Sequence, residues 1–205
     1  MSEERARLFV ALELPADVRL RLAGWRDAAV HAVPALRPVA SESLHVTLCF
    51  LGWISSGEVE AIALACRGVA GLPAAPLRVA EGLWLPPRRP RVLAVALTDR
   101  GGGLARAQAA LSDALAAGGW YEPESRPFLA HVTVARVQRG ARVRGAELPA
   151  LDGGAEFEGS TVTLFRSRLG RGGARYEGLA SVRLDAPPID LGRERPTGRG
   201  NRRGT

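Results

Sequence analysis

The chain contains no lysine: all 28 of its basic side chains are arginines. Glycine, proline and alanine are abundant beside them, the pattern a GC-rich genome imposes whatever the function. The formal charge of +7 therefore carries little weight as a sign of nucleic-acid tracking. An arginine-lined phosphate site is the narrower expectation. Cysteine is scarce as well. Cys49 and Cys66 stand in neither a disulfide-framework nor a metal-ligand spacing, so a reduced cytoplasmic protein is expected. No stretch approaches the ~18 consecutive apolar residues of a membrane span, and the N-terminus lacks an apolar run of signal-peptide length. There is no P-loop and no nucleophile elbow, and the glycines at 101–103 lack the rest of a dinucleotide fingerprint. No metal and no cofactor are implied.

Histidine is scarce too, with three copies, yet two begin the same tripeptide. SLHVTLCFL runs from Ser43 to Leu51 and FLAHVTVAR from Phe128 to Arg136. The third, His31, has an adequate role as a charge partner at a helix C-terminus. The repeat extends beyond the tripeptide: His45 and His131 are 86 residues apart, Arg7 and Arg91 are 84 apart, and Leu77 and Thr161 are 84 apart. Strand-like runs at RLFVALEL and RVLAVALT share this offset. Helix-like runs follow, with Val18, Leu22, Trp25 and Ala29 on one stripe and Leu104, Leu111 and Leu115 on another. Asp17 is placed to cap the first helix. Ser55 and Glu58 have capping-box spacing before a short helix with an apolar stripe at Val59, Ile62, Cys66 and Val69. Two similar α+β units related by a pseudo-twofold are expected over residues 1–185. The Pro-, Gly- and Arg-rich segment 186–205 reads as a disordered basic tail.

Side chains alternate faces along a strand, so His45, Thr47 and Cys49 should share one face, and His131, Thr133 and Ala135 another. Imidazole and hydroxyl two residues apart project the same way, about 7 Å apart along the strand. If the pseudo-twofold sets the two strands together, two imidazoles and two hydroxyls converge. The hydroxyls can hold phosphate oxygens, and one neutral and one protonated imidazole can serve as base and acid near neutral pH. Either motif alone would be an ordinary core or edge histidine. The pair, at the offset of the whole repeat, points to acid-base chemistry.

LHVTLCFLG and HVTVAR, with the flanks RLFVALELP, PPRRPRVLAVAL, RPFLAHVTVAR and LFRSRLGRGGARYEGLASVRL, resemble the two-histidine phosphoesterases. Among these they are most like the RNA 2′,3′-cyclic phosphodiesterases once called 2′-5′ RNA ligases. That resemblance implies a bilobal α+β fold with antiparallel sheets around a central groove. It also implies hydrolysis of an RNA or nucleotide 2′,3′-cyclic phosphate end to a 2′-phosphate, and nothing in the sequence suggests more than a monomer. By position, His45 would be the proton donor and His131 the proton acceptor, with Thr47 and Thr133 on the phosphate. The resemblance makes Arg136 a phosphate contact, although strict alternation puts it on the wrong face; a bulge or the strand end would have to re-aim it. Phe50, at the same place in the first copy, reads as core packing, with base stacking as the alternative. Leu129 and Ala130 depart from the family, which usually has proline just before the second histidine. Arg88, Arg89, Arg91 and Arg126 are candidate RNA contacts. The alternatives are 2′-5′ ligation, another small phosphodiester, or an RNA-end-binding module without turnover.

Overall fold

A computed structural model describes residues 4–143, 146–170 and 173–185 of the chain; the expected basic tail lies outside them. Strands Arg5–Glu13 (β1), Leu36–Pro38 (β2), His45–Ser55 (β3), Ala75–Leu85 (β4), Val92–Thr98 (β5), His131–Val137 (β6), Glu156–Gly159 (β7), Thr161–Gly170 (β8) and Gly173–Arg183 (β9) form a single sheet. Helices Ala16–Ala32 (α1), Val59–Cys66 (α2) and Gly103–Ala117 (α3) complete the α+β fold. No helix among the described residues is long and apolar enough to cross a membrane.

The strand order is β7-β4-β5-β6-β3-β1-β8-β9, with β2 on β6, and every pairing is antiparallel. Read outward from the centre, the order is palindromic in the sequence repeat: β6 mirrors β3, β5 mirrors β1, and β4 mirrors β8. The two histidine strands are the central pair. They touch at a single register position, Val46 opposite Val132, where the two halves expected as separate sheets join into one. The copies also exchange their third strands, since β4 sits with the second copy and β8 with the first.

The core lies on the face that Val46, Leu48, Val132 and Val134 present, all of them buried. There α1 packs on β2 and β6, and α3 on β3 and β4. The expected stripes of α1 and α3 are buried, as are Ile62, Cys66 and Val69, while Val59 is partly covered. Trp25 sits so close over β4 that a Cβ at Gly82 would stand 2.6 Å from its ring, which is why the strand is bare there. One capping expectation changes. Pro15 takes the position before α1, without a side-chain cap, and Asp17 falls within the first turn, where its charge meets the helix dipole. Ser55 caps the 3-10 turn at Ser56–Glu58 that precedes α2, accepting from the Gly57 N–H at 3.3 Å, and Glu58 accepts from the Trp120 indole at 2.9 Å.

Candidate active site

Both histidine strands carry a bulge three residues past the histidine. On β3, Ala11 pairs with Thr47 but Val10 pairs with Cys49, leaving Leu48 without a partner in the register. On β6, Ala94 pairs with Thr133 but Leu93 pairs with Ala135, leaving Val134 in the same situation. An extra residue in one strand reverses the alternation beyond it. Cys49 and Ala135, expected on the histidine face, are therefore turned into the core at 1% and 0% exposure. Phe50 and Arg136 take the histidine face. The bulge that Arg136 required is present, and it also corrects the reading of Phe50 as core: its ring is 47% exposed and lines the groove.

The imidazoles are held the same way in both copies. His45 Nδ1 lies 2.8 Å from the Ser43 carbonyl, and His131 Nδ1 lies 2.8 Å from the Leu129 carbonyl, each two residues upstream. A carbonyl only accepts, so each Nδ1 carries the hydrogen and each Nε2 is left for the groove. A backbone oxygen does the orienting, so the Leu129–Ala130 departure leaves the ring placement intact. In its neutral form His45 Nε2 accepts from the Thr47 hydroxyl at 3.1 Å. The antiparallel register about Val46 and Val132 sets His45 across from Thr133 and Thr47 across from His131.

His45 is half-buried in an aromatic nest. The Phe9 ring lies 4.9 Å away, Tyr176 meets it edge-on at 5.3 Å, and Phe165 lies 6.3 Å away. Burial lowers its pKa to about 4, and repulsion from Arg136 and His131 adds to this, against the opposing pull of the Ser43 carbonyl. The groove encloses about 250 Å³ and is lined by His45, Thr47, Phe50, His131, Thr133 and Arg136, all six residues that the sequence nominated. Two arginines, Arg7 and Arg136, make it a site for an anion. Arg88, Arg89, Arg91 and Arg126 are exposed and line no part of it. Among the described residues no group of three His, Cys, Asp or Glu side chains could hold a metal ion. Cys49 and Cys66 are free, with burial pushing each thiol up to about 12.

Several groove residues escaped the sequence reading. Arg7 donates to Ser167 Oγ at 3.2 Å and stacks its guanidinium 4.7 Å from the centre of the Phe50 ring. Phe9 pairs in register with Phe50 on one side and Phe165 on the other. The available signal was the i, i+2 spacing of Arg7 with Phe9 and of Phe165 with Ser167, but using it requires knowing that β1 lies between β3 and β8. Arg26 was also missed. It is buried on α1, donates to the Val39 carbonyl and to Ser41 Oγ at 3.3 Å, and pairs with Asp27 at 2.8 Å. It thus ties down the segment that leads to Ser43 and His45.

Residues 12–94 match the family model described as LigT-like phosphoesterase. The chain is 34% identical to an RNA 2′,3′-cyclic phosphodiesterase of Escherichia coli K12, over 87% of this chain and 96% of that one. It is 33% identical to a protein of the same name from Aeropyrum pernix, over 80% of this chain and 94% of that one. Among solved structures, E. coli LigT complexed with 3′-AMP superposes with a TM-score of 0.71 at 30% identity, covering 88% of this chain and 99% of that one. A Thermus thermophilus protein superposes at 0.73 with 26% identity, covering 88% and 98%.

Proposed function

From the chain's membership of the LigT-like phosphoesterases, which its similarity to the E. coli phosphodiesterase along nearly its whole length establishes, we propose that it hydrolyses RNA 2′,3′-cyclic phosphate ends to 2′-phosphomonoesters. The observation that carries this reading is the matched pair of imidazoles. Each is fixed through Nδ1 by a carbonyl two residues upstream and opens Nε2 onto one arginine-bearing groove.

His131 accepts a proton from water as the water oxygen bonds to phosphorus. The P–O3′ bond breaks opposite the forming bond, and His45 gives its proton to the departing oxygen. The phosphate stays on O2′. Thr47, Thr133 and Arg136 hold the non-bridging oxygens as negative charge builds on them. His45 is neutral in the free protein near pH 7, so it must gain its proton in company with the anionic substrate. The phosphate charge favours the imidazolium that burial and Arg136 disfavour. A cytoplasmic monomer is part of the same reading.

The test is incubation of the EDTA-treated protein with a short RNA ending in a 2′,3′-cyclic phosphate, with the 2′- and 3′-phosphate products resolved. A 2′-phosphate is expected. Bound but unreacted RNA would make the groove a binding module.

A further inference from the structure

A second and larger cavity, about 800 Å³, opens beside the catalytic groove. It shares Ser43, His45 and Tyr176 with the groove, and it does not include His131. We infer that this cavity seats the body of the RNA substrate, its terminal nucleoside and the nucleotide on its 5′ side, so that the protein prefers oligoribonucleotides to a cyclic mononucleotide. This inference rests on the proposed cyclic-phosphate reaction.

Three observations carry it. The first is size. Cavities of roughly 300–1,000 Å³ enclose a drug-sized ligand, and the 250 Å³ groove falls short of that range while the neighbouring cavity lies well within it. The groove suits the phosphate and the ribose next to it, and the neighbouring cavity offers the larger space for the rest of the substrate.

The second is the direction of the reaction. In an in-line displacement the attacking water and the departing oxygen stand on opposite sides of phosphorus. The ribose is bonded to the departing O3′, so the nucleoside extends past the group that protonates it. The large cavity adjoins His45 alone. A nucleoside lying there puts O3′ at His45 and the water at His131, which breaks the symmetry that the two identical tripeptides leave open.

The third is chemistry. Phe165 and Tyr176 form the wall next to His45, offering ring faces and edges for bases. Arg19, Arg168 and Arg175 line the remainder, together with the carboxylates Glu13 and Glu42. Glu13 is engaged by the Thr163 hydroxyl, and Arg168 by Glu177 at 2.9 Å. Among the described residues Arg19 and Arg175 form no ion pair, which leaves two cations available for the phosphodiesters between nucleotides.

The experiment compares kcat/KM and fluorescence-anisotropy binding for a cyclic mononucleotide and for cyclic-phosphate oligomers of two, three and four nucleotides. The inference expects kcat/KM to rise about tenfold between one and three nucleotides, with a steeper salt dependence for the longer substrates. In Arg19→Ala/Arg175→Ala the oligomer-to-mononucleotide ratio should collapse about tenfold; in Arg67→Ala, an exposed arginine beyond α2, it should stay put. No dependence on length, or an equal loss on all substrates, would overturn the inference while leaving the cyclic phosphodiesterase intact. Length-dependent binding without product at any length would overturn the phosphodiesterase reading and uphold the cavity as an RNA seat.

Discussion

Phe50 and Arg136 occupy the same place in the two copies, five residues past His45 and His131, and matching bulges at Leu48 and Val134 bring both onto the histidine face. The symmetry of the backbone is retained while the chemistry is divided, an aromatic surface on one side and a guanidinium on the other. In the proposed reaction the shared residues supply the proton transfers and two of the phosphate contacts, and the copy-specific residues add an aromatic surface and a charged donor.

Removing Arg136 should leave a phosphate oxygen without its charged donor in the transition state. Arg136→Ala is expected to lower kcat/KM for a cyclic-phosphate substrate by about 10²-fold. Lysine at the position should restore only part of it, since the ammonium cannot reproduce a bidentate fork. Steady-state kinetics on the two variants checks this.

Phe50 is held open to solvent beneath the Arg7 guanidinium. Phe50→Ala should cost about tenfold in kcat/KM through lost contact with the substrate, while the melting temperature changes little because the ring contributes little to the core. A large drop in stability with unchanged kinetics would return Phe50 to a packing role.

The core and helices were legible because burial writes its own period into the sequence: Val18, Leu22, Trp25 and Ala29 had to face inward, and they do. The histidine pair was legible because a rare residue recurred at the offset of a repeat. The bulge at Val134 was called for only by the resemblance that sets Arg136 on the phosphate, and the one at Leu48 was not legible, since nothing in LHVTLCFL marks Leu48 as the residue without a partner; it shows only in the pairing with Val10 and Ala11. Nor was the exchange of β4 and β8 between the copies, and with it the placement of Phe165, Ser167 and Tyr176, which depends on contacts more than a hundred residues apart in the chain.

The nest of Phe9, Phe165 and Tyr176 has a consequence for stability as well as for catalysis. His45 binds a proton near pH 4 in the folded chain and near 6.5 when unfolded. Between those values the unfolded state holds more protons, so this group's contribution is intact above pH 6.5 and is lost as pH falls towards 4, by roughly 3 kcal/mol. Denaturant unfolding from pH 7 to 4 should show this loss in the native chain and not in His45→Gln. NMR titration of the imidazoles should find the His45 resonance moving to higher pKa when a nucleotide 2′-phosphate is bound.

Arg26 reaches from α1 to the Val39 carbonyl and the Ser41 hydroxyl. Arg26→Ala strands that carbonyl and should cost roughly 2–3 kcal/mol, or about 5–10 °C in Tm. Because the same segment carries Ser43, kcat should fall as well, with KM less affected. An unchanged kcat in a folded Arg26→Ala protein would reduce this residue to a stabilising role.

Protonation of the departing 3′ oxygen by His45, with His131 activating water, is tested most directly by changing the leaving atom. With the 3′ oxygen replaced by sulfur, the departing thiolate, of ordinary pKa near ~8.5, needs little help from an acid. On the oxygen substrate, His45→Ala and His131→Ala should each lose about 10²–10⁴-fold. On the sulfur substrate, His45→Ala should recover to within about tenfold of the native protein, while His131→Ala stays low. Rescue of His131→Ala instead, or near-full activity of either variant on the oxygen substrate, would contradict the assignment.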